Sequence, residues 1–255
     1  MKAFFNIMTV CLVMFFGGDS GIVGLQSVGQ FSWSWFDFQA GSYVGSSFLD
    51  SFNDETDKVD GVHLVAVQQE PEFREMFNGK DLAGWKTQGN WVMEAGNVVT
   101  LKPRPGESGW QRYQDYLTTE RKYGNFELEL EFKFNKAGNS GVFMRVGDLK
   151  DHVASGFEVQ ILDTHGKKKF GHHDCGGVIR TSAPSKMMVK PAGQWNRYKI
   201  SLQHHRLQVI LNGEKIQDLD LSKTAMKDRP ATGYISFQDE AKPIWYRNVR
   251  IKEIK

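Results

Sequence analysis

From Asn125 to Asp163 apolar and polar side chains alternate with a period of two, as strands with one dry and one wet face require. Phe126, Leu128, Leu130, Phe132 and Phe134 alternate with Glu127, Glu129, Glu131 and Lys133. Val142, Met144 and Val146 alternate with Phe143 and Arg145, and Phe157, Val159 and Ile161 with Glu158 and Gln160. Three consecutive strands are predicted. Pairing them in order would bring Glu129 or Glu131, Arg145, Glu158 and Gln160 onto one polar surface. Carboxylates, an arginine and an amide on rigid strands suit a polyhydroxylated ligand. The plainer reading is a solvated sheet face with no site on it.

The same pattern recurs on both sides of this stretch. NWVMEAGNVVTL (90–101) reads as a hairpin turning at Ala95-Gly96-Asn97. KPRPGESG (102–109) is a loop by its prolines and glycines. The 163–193 stretch has no period, apart from a short strand expected at GVIR (177–180), and aperiodic loops of that length tend to be functional or mobile. Strands return over 194–221, with Asn212-Gly213 as a type I′ hairpin signal, and close the chain over 232–240 and 243–254. About a dozen short strands and no convincing helix predict an all-β, antiparallel sandwich.

Composition agrees: 40% hydrophobic and 24% charged residues are globular values, and 26 glycines with 13% aromatics suit strands and tight turns. Lys2 followed by the apolar run Ala3–Phe16 reads as a signal peptide over residues 1–18 and is short for a membrane span. An uncleaved anchor is the alternative. Export to the periplasm or the medium is therefore expected, with no membrane span once the signal is removed. Residues 19–69 hold seven acids and one base without a sustained period and read as a poorly ordered linker. The domain is expected over 70–255, which carries 30 basic and 23 acidic residues. That excess allows an anionic or cell-surface partner, but no nucleic-acid motif accompanies it.

Outside the first stretch the chemistry is sparse. Cys175 is the one cysteine after the apolar run, so no internal disulfide forms. His172-His173-Asp174-Cys175, with His165 nearby, lacks the spacing of a structural zinc finger and reads as a polar loop. No cofactor is required, although a divalent metal shared between that loop and Glu158 stays open. Trp85, Trp91 and Trp195 are assigned to the core, and Trp110 and Trp245 are candidate sugar-stacking platforms. Arg247 is either a ligand contact or the partner of a strand-end carboxylate. Glu131 and Glu158 could act as paired glycosidase carboxylates. No P-loop, dinucleotide fingerprint or serine triad signature is present.

Seven ordered blocks carry a resemblance: FNGKDLAGW (77–85), YGNFELELEFKF (123–134), NSGVFMRV (139–146), GFEVQILD (156–163), PAGQWNRYKI (191–200), LNGEKI (211–216) and TGYISFQDEAKPIWYRNVRIKEI (232–254). Together they resemble the 3-keto-disaccharide hydrolase family, over about 180 residues from Phe73 onward. The resemblance implies a concanavalin/laminin-G-like jelly roll with the carbohydrate ligand on its concave face. It also implies cleavage of glycosides oxidised at C3, by C2 proton abstraction, β-elimination and hydration. The alternatives are a non-catalytic carbohydrate-binding module and a surface protein that contacts glycans. Matching motifs point to Asn139, Ser140, Arg145, Glu158, Gln160 and Arg247. Glu158 is the expected acid/base and Arg145 the oxyanion donor; Gln160, Asn139 and Arg247 would hold the sugar. Where the family commonly has Gln-Asp-His-Gly, this chain has Gln238-Asp239-Glu240-Ala241, so Glu240 stands in for a histidine.

Overall fold

The computed structural model describes residues 71–254. The signal peptide and linker expected upstream lie outside the described residues. Among the described residues thirteen strands form in chain order: β1 (Arg74–Glu75), β2 (Trp85–Lys86), β3 (Trp91–Glu94), β4 (Val98–Leu101), β5 (Leu117–Thr119), β6 (Phe126–Phe134) and β7 (Asn139–Val146). Then follow β8 (Phe157–Leu162), β9 (Asn196–Gln203), β10 (Arg206–Leu211), β11 (Glu214–Asp220), β12 (Tyr234–Phe237) and β13 (Ile244–Glu253). One four-residue helix, α1 (His152–Ser155), interrupts them. Its N-cap Asp151 accepts a hydrogen bond from the Ala154 backbone N–H at 2.9 Å. Among the described residues no helix is long and apolar enough to cross a membrane.

The strands make two antiparallel sheets of the jelly-roll type. One runs β11-β10-β9-β6-β13-β4-β3, with β1 also on β13, and the other runs β2-β5-β12-β7-β8. The alternation on β6 is as expected: its aromatic and leucine side chains are buried, and they pack with Val142, Met144, Val159, Ile161 and Phe237 of the smaller sheet. Trp85 stacks between Phe77 and Phe237 at 4.7 and 5.3 Å, and Trp91 is buried beside Tyr246. Both expected tight turns form with two consecutive positive φ angles, 79° and 57° at Gly96-Asn97 and 52° and 89° at Asn212-Gly213.

The pairing of the three central strands corrects the sequence reading. β6 pairs with β9 and β13, whereas β7 pairs with β8 and β12 in the other sheet. The turn between β6 and β7 therefore crosses the sandwich instead of closing a hairpin. Ala137 takes φ 59° there, and a Cβ on Gly138 would sit 2.4 Å from the Phe134 Cβ. Period-two alternation shows which residues share a strand face, but not which strands are neighbours. Glu129 and Glu131 consequently lie on the outer face of the larger sheet, on the far side of the core from Glu158.

Candidate active site

The smaller sheet carries a transverse row of outward-facing residues, read from its registers. Lys86 of β2 faces Thr118 of β5, Thr118 faces Ser236 of β12, Ser236 faces Phe143 of β7, and Phe143 faces Glu158 of β8. In the adjoining row Gly141 pairs with Gln160, and the Gln238 backbone N–H donates to the Gly141 carbonyl at 3.0 Å. Glu158 lies over Gly141: a Cβ there would meet its Oε1 at 2.3 Å. Glycine at 141 makes room for that carboxyl group.

Glu158 is 6% exposed, and its carboxyl group has no hydrogen-bond or ion-pair partner among the described residues. Burial, reinforced by the charge of Glu240, pushes its pKa up to about 8. Glu240 is half-buried, and burial raises its pKa as well, with Lys242 opposing. Around them are two buried amides with one unpaired oxygen each. Gln160 donates Nε2 to Asn139 Oδ1 at 3.3 Å and leaves Oε1 bare. Gln238 donates Nε2 to the Tyr116 hydroxyl at 3.1 Å and leaves Oε1 bare. Two buried, unpaired acceptors beside a carboxyl group held in its protonated range form a polar cluster whose chemistry suits hydroxyl-bearing ligands.

The cluster is held from both ends. Tyr116 donates its hydroxyl to the Trp110 carbonyl at 2.7 Å, and Trp110, 41% exposed, meets Tyr113 edge-on at 6.1 Å. Asp239 is fully buried. Its Oδ1 accepts from the Ala241 backbone N–H at 2.7 Å and its Oδ2 lies 3.6 Å from the Arg112 guanidinium, which also pairs with Glu107 and Asp115 at 3.0 Å. This pair anchors the turn that presents Glu240. Ala241 adopts φ 54°, a conformation that favours glycine. On the other flank, residues 176–179 of the aperiodic stretch pair with β8: Gly176 N–H donates to the Gln160 carbonyl at 2.9 Å, and Ile179 N–H to the Glu158 carbonyl at 3.1 Å.

The structure thus gathers Glu158, Gln160, Asn139, Glu240 and Trp110 on one face of the smaller sheet, and it places the other expected site residues elsewhere. Arg145 sits at a β-bulge opposite β12 with φ 50° and is 2% exposed. Its guanidinium donates to the carbonyls of Gly124 and His204 at 2.9 and 2.7 Å and to Asn125 Oδ1 at 3.1 Å. It ties the two sheets together at one end of the sandwich and is not an oxyanion donor in this site. Burial pulls its pKa down to about 10. Ser140 faces the core, donating to the Gln238 carbonyl at 2.8 Å and contacting the Tyr246 hydroxyl at 2.9 Å.

Glu131, Arg247 and Trp245 lie on the outer face of the larger sheet. Arg247 pairs with Glu131 at 2.7 Å and stacks on Trp195 at 4.0 Å, and Lys133 lies between Trp195 and Trp245. Trp195 is therefore a surface residue, and Trp245, under Lys133, lies across the core from Glu158 and cannot serve a sugar held there. The pairing of Glu131 with Glu158 across a glycosidic bond fails for the same reason. In the histidine-bearing loop, read from the sequence as a polar loop, His165 contacts the Val189 carbonyl, His172 accepts from the Arg180 N–H, and Asp174 pairs with Lys167. No group of three metal-ligating side chains forms among the described residues. Sequence reasoning missed His152, Tyr113, Tyr116 and Gly141. Of these only Gly141 had a readable signal, a glycine inside the strand pattern of the NSGVF block, which marks a close approach.

The chain as a whole is similar to proteins of known sequence and structure. A curated relative from Bacteroides thetaiotaomicron, named 3-keto-disaccharide hydrolase, is 27% identical over 227 residues, covering 69% of this chain and 77% of the relative. A crystal structure from Parabacteroides distasonis ATCC 8503, named provisionally as a glycosyl hydrolase, superposes with TM-score 0.62 at 26% identity, over 72% of this chain and all of the other. A second one from the same organism gives TM-score 0.60 at 24% identity over 72% and 94%. A sequence profile matches residues 72–252, and the chain belongs to the family it describes, that of the 3-keto-alpha-glucoside-1,2-lyase-like domain.

Proposed function

We propose that the protein cleaves 3-keto-glycosides by elimination and hydration, with Glu158 and Glu240 sharing the proton transfers. A ketone at C3 acidifies the C2 proton. Glu240, the less strongly buried of the two, serves as the base and takes that proton. The electron pair forms the C1=C2 bond as C1–O breaks. Glu158 holds its proton at neutral pH and delivers it to the departing aglycone oxygen. Water then adds across the enone: Glu158, now a carboxylate, accepts the proton of the water attacking C1, and Glu240 returns a proton to C2. Both carboxyl groups end as they began, and the net change is hydrolysis.

The observation that carries this reading is a buried, unpartnered carboxyl group with its pKa near 8, flanked by a second raised carboxyl group and two bare amide oxygens. Gln160 and Gln238, whose unpaired oxygens are covered in the free protein, would turn to accept sugar hydroxyls, with Trp110 offering an exposed indole. Glu240 would take over at the family's histidine position.

The reaction run in D2O tests it. Deuterium should enter C2 of the product glycose during turnover by the wild type, and Glu240→Gln should stop that exchange. Hydrolysis with neither C2 deuteration nor a primary isotope effect from C2-deuterated substrate would mean direct displacement at C1 and would end the elimination reading. Sugar binding without turnover would make the domain a binding module.

A further inference from the structure

Beside the Glu158 cluster, on the β2–β5 side of the same sheet face, lies a pocket of about 280 Å³. Its floor is apolar or already satisfied. Tyr116 donates its hydroxyl to the Trp110 carbonyl and accepts from Gln238, and Thr118 donates to Ser236 Oγ at 2.9 Å. Leu149 adds an aliphatic side. Tyr113 stands as an aromatic wall, stacked on the buried His152 at 5.2 Å and donating to Asp151 Oδ1 at 3.4 Å.

The rim is different. Lys86, Gln88 and Gln114 line it and are exposed. Neither glutamine side chain makes a hydrogen bond among the described residues, so both amides are free to donate and accept. Lys86 has no carboxylate partner there either. Its Nζ lies 4.7 Å from the centre of the Tyr234 ring, and the Nζ of Lys122, equally without a carboxylate, lies 5.4 Å from the same centre. The lysines of the larger sheet are arranged otherwise: Lys199 and Lys252 pair with Glu127, and Lys215 pairs with Asp218. Two ammonium groups held to one tyrosine repel each other, and the ring face offsets part of that repulsion. An anion beside Lys86 and Lys122 would relieve the rest. Asp151 reaches the pocket from the other side, through Tyr113, so the two ends differ in sign and a ligand has one favoured direction.

We propose that this pocket binds a sugar ring bearing an anionic substituent, a carboxylate or a sulfate. The anion points to Lys86 and Lys122, the hydroxyls meet Gln88 and Gln114, and the ring packs on Tyr113 and Leu149. An aromatic-walled cavity with a few polar groups at fixed places is the usual form of a small-ligand site. The excess of basic over acidic residues in the domain, 30 against 23, favours approach of such a ligand. Thr118 and Glu158 stand three strands apart in one row, roughly 14 Å at the usual strand spacing, so a ring held here and a ring over Glu158 are separate units of a glycan. Binding here does not depend on the chemistry at Glu158.

The test is calorimetric titration with glucuronate, glucose 6-sulfate and glucose. Wild type should bind at least one of the two anionic sugars saturably, about fivefold or more tighter than glucose, and the tighter of the two identifies the substituent. Replacing Lys86 and Lys122 together, as Lys86→Met with Lys122→Met, should erase that preference without lowering Tm, because both side chains are exposed. Lys215→Met removes the same kind of charge from the larger sheet and should keep the preference. Salt at about 0.5 M should erase most of it. No saturable binding of either anion, equal affinity for glucose, or a preference that survives the double substitution overturns the proposal. An equal loss in Lys215→Met would mean diffuse attraction to the whole domain and overturns it as well.

Discussion

Gly141→Ala is the substitution whose consequence the geometry fixes most closely. The new Cβ would lie 2.3 Å from Glu158 Oε1 and 3.0 Å from its Cγ and Cδ, against about 3.4 Å for an ordinary contact. The carboxyl group must retreat by about 1 Å. A displacement of that size in a catalytic group can cost about 100-fold in rate, or about 2.7 kcal/mol of barrier. The fold should tolerate the change, because the colliding atoms belong to the far end of one side chain. An overpacking cost of about 1–3 kcal/mol lowers Tm by only a few degrees per kcal/mol in a domain of this size. The assay is kcat/KM on a 3-keto-glucoside beside Tm by calorimetry, with Gly141→Ala placed in the Glu158→Gln background to complete the cycle. Gly141→Ala should slow wild type strongly and the Glu158→Gln protein hardly at all. Full activity in a folded Gly141→Ala protein, or the same loss in both backgrounds, would refute the placement of catalysis over Gly141.

Three further outcomes follow from the same contacts. Glu158 has its pKa raised on folding, to about 8 from the ordinary carboxylate value of 4.5. The folded state thus binds the extra proton between those limits, so this contribution to stability is complete below pH 4.5 and lost as pH rises through 8. Thermal scans should show wild-type Tm falling relative to Glu158→Gln across that window, and parallel curves would disprove the shift. Arg145→Met strips hydrogen bonds from buried carbonyls and should cost about 3 kcal/mol, seen as a Tm drop of roughly 6–12 °C, while kcat of the folded protein stays near wild type; a kcat collapse at unchanged Tm would restore Arg145 to the chemistry. Ala241→Gly relieves a positive φ and should stabilise by about 1 kcal/mol in chemical denaturation, whereas destabilisation would contradict the turn geometry.

Much of the fold was legible because strand faces are written locally. The alternation on β6 and the glycine turns at 96–97 and 212–213 need only neighbouring residues to be read. The site was harder because it depends on which strand lies beside which. Arg145 continues the alternation of β7 in sequence, yet the bulge opposite Ile235 turns it out of register. Glu131 and Glu158 sit in equally regular strands that the crossing turn assigns to different sheets. Glu158 and Gln160 were recoverable because β8 is regular and family motifs pointed there. Tyr113 comes from a 3-10 turn, Tyr116 from the bend before β5 and His152 from a single helical turn, and no period links such pieces.

Dependence on the leaving group tests the central claim most directly. A general acid matters most when the aglycone is a poor leaving group. The measurement is kcat/KM of wild type and Glu158→Gln on methyl and 4-nitrophenyl 3-keto-glucosides. Loss of Glu158 should cost about 100-fold or more on the methyl substrate and far less on the nitrophenyl one. Equal losses on both substrates, or none on either, would contradict proton delivery by Glu158 and with it the account of the site.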